Sequence, residues 1–134
     1  MTINPEIITF PSFVASLINN GNLIVNKSKK EFTPQDSPLL SRDLDDSDSV
    51  RIILNACGSV KEMLLHGKQT MLAGNLIMNE YIPDVMKLVA SNRIENALHV
   101  GAHTLVTSCP AEYVLLSENS NNRIEVITLE EAIN

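Results

Sequence analysis

Short runs of β-branched residues alternate along the chain with stretches of helical hydrophobic spacing. The runs at residues 60–65, 103–107 and 123–128 predict strands, and a weaker run at residues 31–33 predicts another. A further run at residues 6–10 predicts a strand near the start of the chain. Strands that alternate with helices are typical of parallel βα units, so the pattern predicts the α/β class.

Five stretches with helical spacing predict helices, most of them opened by proline or an acidic residue and closed by glycine. In the longest, one face carries apolar residues, which predicts that this face packs on the core: Val85, Leu88, Val89, Ala97 and Leu98. The predicted helices cover residues 11–20, 48–57, 83–100, 111–116 and 129–133.

Two segments fit neither pattern. Pro34 and Pro38 predict a loop across residues 34–38, because proline lacks a backbone N–H and restricts the residue before it. Residues 66–74 are polar and contain glycine, and they predict irregular structure. The acidic stretch at residues 43–48 contains four aspartates, which favour the start of the following helix. A cation site is the alternative for this stretch, although its spacing matches no calcium loop.

Length and composition predict one domain over residues 1–134. A chain of 134 residues with 44% hydrophobic and 19% charged residues is typical of a globular domain. We therefore expect a mostly parallel sheet of four or five strands with helices on both faces. Residues 6–10 also resemble residues 123–128, and each run precedes a helical pattern. This similarity predicts a single repeat of a tandem architecture.

Charge and hydropathy restrict the partners that we expect. The net charge is −6, and the only basic cluster, residues 27–30, is short and interrupted, so we expect no nucleic-acid partner. No apolar run reaches the roughly 18 residues that span a bilayer, and the N-terminal residues lack the pattern of a signal peptide. We therefore expect a cytoplasmic protein without membrane insertion.

Common catalytic motifs are absent from the sequence. It has no glycine-rich nucleotide-binding pattern and no Gly-x-Ser-x-Gly motif. His66, His99 and His103 have no zinc-site spacing, and we expect His103 to lie at the surface. Cys57 and Cys109 are too few for a disulfide framework, so we expect two free thiols.

Residues 101–110 carry a family resemblance. Their sequence, Gly-Ala-His-Thr-Leu-Val-Thr-Ser-Cys-Pro, resembles the Gly-Ala-Asp-Thr-Leu-Val-Thr-Ala-Cys-Pro segment of the CCG (cysteine-rich) domain family. That family comprises iron–sulfur oxidoreductase subunits, such as those of heterodisulfide reductase and of the complexes that oxidise glycolate and lactate. The resemblance implies one CCG-type repeat with an α/β fold.

Other segments extend the resemblance over nearly the whole chain. Residues 35–42 resemble the family's His-Asp-Pro-Cys-x-Leu-x-Arg element, and residues 72–74 occupy the place of its Cys-Cys-Gly. The spacing agrees, with 33 residues between positions 38 and 72, 35 between 73 and 109, and two between 109 and 112. Asn92, Arg93 and Ala97 match the family's Asn-Arg-x-x-x-Ala helix.

The cluster positions depart from the family pattern. Of the five positions only Cys109 keeps its cysteine, and the others hold Pro38, Leu72, Ala73 and Glu112. An iron–sulfur cluster normally needs four thiolates. We therefore expect no metal, no cluster and no other cofactor. Pro38, Leu72 and Cys109 each fall just after a predicted strand or in the loop beyond it, so we expect these positions to gather at the carboxyl ends of the strands. We also expect the loops of Pro38 and Leu72 to collapse towards Cys109, leaving a dry apolar site or a small apolar pocket.

Two functions follow as expectations. The first is a cluster-less structural or assembly module that forms a homo-oligomer or binds a redox protein. The alternative is an active oxidoreductase component that uses Cys109 as a redox thiol or completes a cluster with another chain. A cysteine at a helix N-terminus is favoured as the thiolate, although Glu112 opposes this. The simpler interpretation of Cys109 is a small, partly buried apolar residue.

Overall fold

Four strands and six α-helices form the part of the chain that this computed structural model describes, residues 4–133. The strands are β1 (Glu31–Gln35), β2 (Ser59–Val60), β3 (Thr104–Thr107) and β4 (Glu125–Thr128). The α-helices are α1 (Phe10–Asn19), α2 (Asp48–Cys57), α3 (Leu76–Tyr81), α4 (Pro83–His99), α5 (Pro110–Asn119) and α6 (Leu129–Ala132). A π-helical turn (Leu39–Asp43) and a 3-10 turn (Gly67–Gln69) lie between them.

The strands form one parallel sheet in the order β2-β1-β3-β4. Successive side chains of a strand point to opposite faces, and the adjacent residues Leu105 and Val106 of β3 enter two different core clusters. Val106 packs with residues of α1, α2 and α6, whereas Leu105 packs with residues of α4 and α5. The predicted α/β class and the parallel sheet with helices on both faces are therefore confirmed.

Local signals set the bounds of α2. Ser47 is its N-cap residue, and Asp46 Oδ1 accepts a hydrogen bond of 3.0 Å from the Ser49 N–H. Gly58 ends the helix, as predicted. A Cβ at position 58 would lie 2.2 Å from the carbonyl oxygen of Lys30, so only glycine allows the close approach of α2 to the start of β1.

The predicted strand at residues 6–10 is wrong. Phe10 already belongs to α1, and Thr9 is its N-cap, whose side chain accepts a hydrogen bond of 3.2 Å from the Ser12 N–H. Residues 4–9 form no strand. Pro11 suits the first turn of a helix, and a run of β-branched residues becomes a strand only where a sheet edge receives it. The similarity between the two ends of the chain is therefore not a structural repeat.

The predicted loop at residues 34–38 is wrong at its start, because Pro34 lies within β1. The N–H groups of Ser59 and Lys61 donate to the carbonyls of Lys30 and Phe32. Along β1, the backbone groups of every second residue, at even-numbered positions, therefore point towards β2. Pro34 belongs to that set, but β2 ends opposite Phe32. The missing N–H of Pro34 therefore faces a side where no strand needs it.

Two further predictions need correction. The strand predicted at residues 60–65 is limited to β2, since only Ser59 and Val60 pair with β1. The predicted core face of α4 is wrong at its start, where Val85 and Leu88 are exposed, and right at its end, where Ala97 is buried and Leu98 packs against the core. The buried stripe of α4 lies one position further along the helix and consists of Met86, Ala90, Arg93, Ile94 and Ala97.

Candidate functional site at the carboxyl edge of the sheet

The carboxyl ends of β1 and β3 lie side by side, and ligand sites of parallel sheets are found at such edges. Residues 70–73 pass across the end of β1. The Gln35 side chain donates a hydrogen bond of 2.9 Å to the Met71 carbonyl, and the Thr70 hydroxyl donates one of 3.0 Å to the Asp36 carbonyl. Three separate segments therefore meet here, namely the one that follows β1, the one that follows β3 and the irregular one before α3.

The five positions that the resemblance assigns to a cluster, called here the cluster-equivalent positions, lie around this edge but do not all face one point. Pro38 precedes the π-helical turn, and Cys109 is the N-cap residue of α5. Ala73 and Glu112 are fully buried, and the Ala73 N–H lies close to the Glu112 carboxyl group. The Leu72 side chain instead remains 39% exposed.

The expected collapse around Cys109 is found only in part: the neighbours of Pro38 lie beside the thiol, but Leu72 and Ala73 do not line the apolar surface there. Cys109 borders a groove of about 220 Å³ whose other lining residues include Pro11 of α1 and Leu39, Leu40 and Leu44 of the π-helical turn and its end. A second groove of about 220 Å³ lies on its other side, next to Tyr113 and Thr128. The apolar surface beside the thiol therefore comes from the segment that follows Pro38 and from α1.

A buried polar network occupies the centre of the edge. The Arg93 side chain is 1% exposed. Its Nε donates to Gln35 Oε1, and its Nη2 donates to the Leu65 carbonyl at 2.7 Å. Its Nη1 is buried without a hydrogen-bond partner among residues 4–133. Arg93 thus connects α4 to the end of β1 and to the segment after β2.

Asp36 is the second centre of this network. Its carboxylate accepts two hydrogen bonds from the Arg51 guanidinium and one of 2.6 Å from the Gly67 N–H. Arg51 also pairs with Glu62 at 2.9 Å. Burial opposes the charge of Arg51, but the hydrogen bonds to Asp36 and Glu62 outweigh it and raise the pKa of Arg51.

Glu112 lies in the first turn of α5 and is 1% exposed. Loss of solvation on burial raises the pKa of its carboxyl group to about 7. The Gln35 amide, the positive charge of Arg93 and the Ala73 N–H oppose this shift. Burial likewise lowers the pKa of Arg93, although the charge of Glu112 favours its protonated form. Glu112 therefore changes its charge near neutral pH.

The two thiols are free, as predicted, and they do not share a site. Cys57 is buried among core residues at the end of α2, beside the amino end of β1, and burial raises its pKa. Cys109 is half-buried at the carboxyl end of β3, and its N–H donates a hydrogen bond of 3.1 Å to the Thr107 hydroxyl. Cys57 therefore cannot complete a ligand set around Cys109.

The donor atoms at this edge do not fit an iron–sulfur cluster. Proline, leucine and alanine offer no ligand, Glu112 is enclosed in the polar network, and Cys109 is the one thiol present. Within residues 4–133 no three His, Cys, Asp or Glu side chains gather closely enough to hold a metal ion. His103 is exposed, as are His66 and His99.

The sequence signalled only part of this site. The resemblance singled out Asp36 and Arg93, and Glu112 was assigned as a lost cluster ligand. Gln35, Arg51 and Thr70 were missed, because polar residues are mostly exposed and carry no local sign of burial. The one available signal was the polar pair Gln35-Asp36 just beyond the weak strand run at residues 31–33.

No helix in the described residues 4–133 is long and apolar enough to cross a membrane. In comparisons with known proteins, no family model matches the chain, and no curated protein or solved structure matches it significantly.

Proposed function

We propose that this chain is a cluster-less relative of the CCG-type iron–sulfur oxidoreductase domains and that it acts as a structural or assembly module. The observation that carries the proposal is the buried hydrogen-bonded pair of Gln35 and Arg93 with the buried Glu112 carboxyl group beside it. It lies among the cluster-equivalent positions, where the resemblance implies a cofactor. Side chains of the protein itself occupy this region.

The network supports a scaffold role because it joins distant parts of the chain. Arg93 of α4 binds the end of β1 and the Leu65 carbonyl, and Arg51 of α2 binds Asp36 and Glu62. The Arg42 side chain also donates to the carbonyls of Lys68 and Thr70, which ties the π-helical turn to residues 66–74. Buried polar groups with specific partners hold irregular segments in one arrangement.

Assembly is the activity that such a scaffold offers. In this proposal the partner is a second copy of the chain or a redox protein that carries an intact repeat. Among residues 4–133, nineteen large hydrophobic residues are exposed, and several of them, at residues 76–88, are close together along the chain and offer a surface to such a partner.

Metal analysis of anaerobically purified protein tests the proposal. We expect iron and acid-labile sulfide well below one equivalent per chain, no visible absorbance, and the same result after reconstitution with iron and sulfide. The Cys109→Ser variant serves as the matched control, since it removes the one thiol at this edge. Stoichiometric iron and sulfide that the variant loses would refute the proposal.

The alternative function, a redox component that uses Cys109, is favoured by one observation. The half-buried thiol lies between two grooves, whereas Cys57 is enclosed in the core. Alkylation of the native protein, read by mass spectrometry, uses Cys57 as an internal control. Rapid, reversible oxidation of Cys109 by a disulfide reagent, with Cys57 unmodified, would support the alternative. A Cys109 that reacts as slowly as Cys57 would refute it.

A further inference from the structure

An exposed apolar surface is formed by α3 and the start of α4. None of the six residues of α3 is buried. Ile77 is 73% exposed and Tyr81 is 82% exposed. The side chains of this α3–α4 surface are Leu76, Ile77, Met78, Tyr81, Ile82, Val85 and Leu88.

A helix of this kind needs a packing partner. Isolated helices shorter than about 12 residues are marginal in water, and most helices are stabilised by packing of an apolar face. α3 has six residues and contacts α4, but it buries no side chain of its own. Val85 and Leu88 have the spacing that predicts a buried face, yet the sheet covers a different stripe of α4. The apolar side chains of α3 and the start of α4 are therefore not packed against another element of the described chain.

The size of the surface matches what a dimer needs. The seven side chains together expose the equivalent of roughly four fully exposed residues, which at roughly 100–200 Å² each amounts to roughly 400–800 Å². A separate groove of about 270 Å³ further along α4 is lined by Leu64, Leu65 and Met71 and by polar residues of α4, so it is not counted in this area. A standard interface buries about 800 Å² per partner.

The charges at the rim are of both signs, and a second copy can pair with them. Glu80, Asp84 and Lys87 are exposed beside the apolar side chains, and none of them forms an ion pair within residues 4–133. A twofold axis through the surface brings Lys87 of one copy towards Glu80 and Asp84 of the other. A rim that carries both signs can pair with a second copy, because Lys87 of one copy offers a partner to Glu80 or Asp84 of the other.

We infer that the α3–α4 surface binds the same surface of a second copy of this chain to form a twofold-symmetric dimer. This inference rests on the proposed assembly function and names its partner. Apolar side chains form the centre of the interface, and the three charged residues form its rim.

Sedimentation equilibrium of the full chain tests the inference. We expect a dimer at about 10 µM wild-type protein, since interfaces of this area reach micromolar affinity or better. The Leu88→Glu variant places an unpaired charge at the centre and should raise the dissociation constant by at least about 30-fold. Ile24→Glu is the matched control, because Ile24 is 86% exposed and lies outside this surface. It should leave the dissociation constant unchanged.

Far-UV circular dichroism shows whether each variant is folded, and Lys87→Glu supplies a second variant that leaves the apolar centre intact. It makes the rim wholly acidic and should weaken the dimer by roughly 3- to 10-fold at low salt, less at about 1 M salt. A monomeric wild-type protein at about 100 µM, or a folded Leu88→Glu variant with wild-type affinity, would overturn the inference. An iron-free monomer would leave the cluster-less proposal standing, whereas a dimer with stoichiometric iron and sulfide would refute that proposal alone.

Discussion

Substitution of Glu112 by glutamine removes the charge of the buried carboxyl group while keeping its size and hydrogen-bonding capacity. In the folded chain the pKa of Glu112 is raised from 4.5 to about 7, mainly by loss of solvation on burial. The unfolded chain has the ordinary pKa. Between these two values the folded state holds a proton that the unfolded state has released, so the free energy of unfolding falls as the pH rises.

The magnitude follows from the size of the shift. One pKa unit corresponds to about 1.4 kcal/mol, so a rise from 4.5 to about 7 amounts to roughly 3 kcal/mol of stability present below pH 4.5 and lost above pH 7. The glutamine variant carries no such proton. It should match the wild type at pH 4.5 and exceed it by up to roughly 3 kcal/mol at about pH 8.

Urea unfolding followed by circular dichroism, between about pH 4.5 and pH 9, measures this difference. Other titrating groups contribute equally to both proteins, so the difference between them isolates Glu112. Glu118→Gln is the matched control, because Glu118 lies on the same helix and is exposed. Its effect should stay within about 0.5 kcal/mol at every pH. A difference for Glu112→Gln that does not change with pH, or a less stable variant at about pH 8, would show that Arg93 and Gln35 fully compensate the buried carboxylate.

Three further substitutions test the packing of the network and the sheet. Arg93→Met leaves buried acceptors without a donor and should lower the free energy of unfolding by about 3 kcal/mol; a loss below about 1 kcal/mol would contradict the role assigned to it. Asp36→Asn weakens the pairing with Arg51 and should cost about 2 kcal/mol, whereas the same loss in an Arg51→Met background would show that the pair is not coupled. Gly58→Ala should cost about 2 kcal/mol or more in urea unfolding, because its Cβ would collide with the Lys30 carbonyl; an unchanged midpoint would refute that close approach.

The elements that the sequence predicted well depend on local signals. α2 ends at Gly58, α4 begins at Pro83, and β3 and β4 are short apolar runs next to turn residues. Caps, prolines and hydrophobic spacing act within a few residues, so they can be recognised without knowledge of the fold. The parallel sheet followed from the alternation of these elements.

The elements that the sequence predicted wrongly depend on distant parts of the chain. Residues 6–10 have strand composition, but no strand receives them, and α1 begins at Phe10. Pro34 is accepted in β1 only because β2 ends before it. On α4 two apolar stripes compete, and the position of the sheet decides that Met86 and Ala90 are buried rather than Val85 and Leu88.

The candidate site divides in the same way. The sequence alone predicted that Pro38, Leu72 and Cys109 follow strands, and carboxyl ends of parallel strands share one edge. Only the tertiary structure decided what lies between them, because burial of Arg93 and Glu112 depends on α4, α5 and β1 meeting across long sequence separations. A polar residue carries no local sign of burial, and the solvation that it loses, which sets the pKa of Glu112, is determined by every element packed around it.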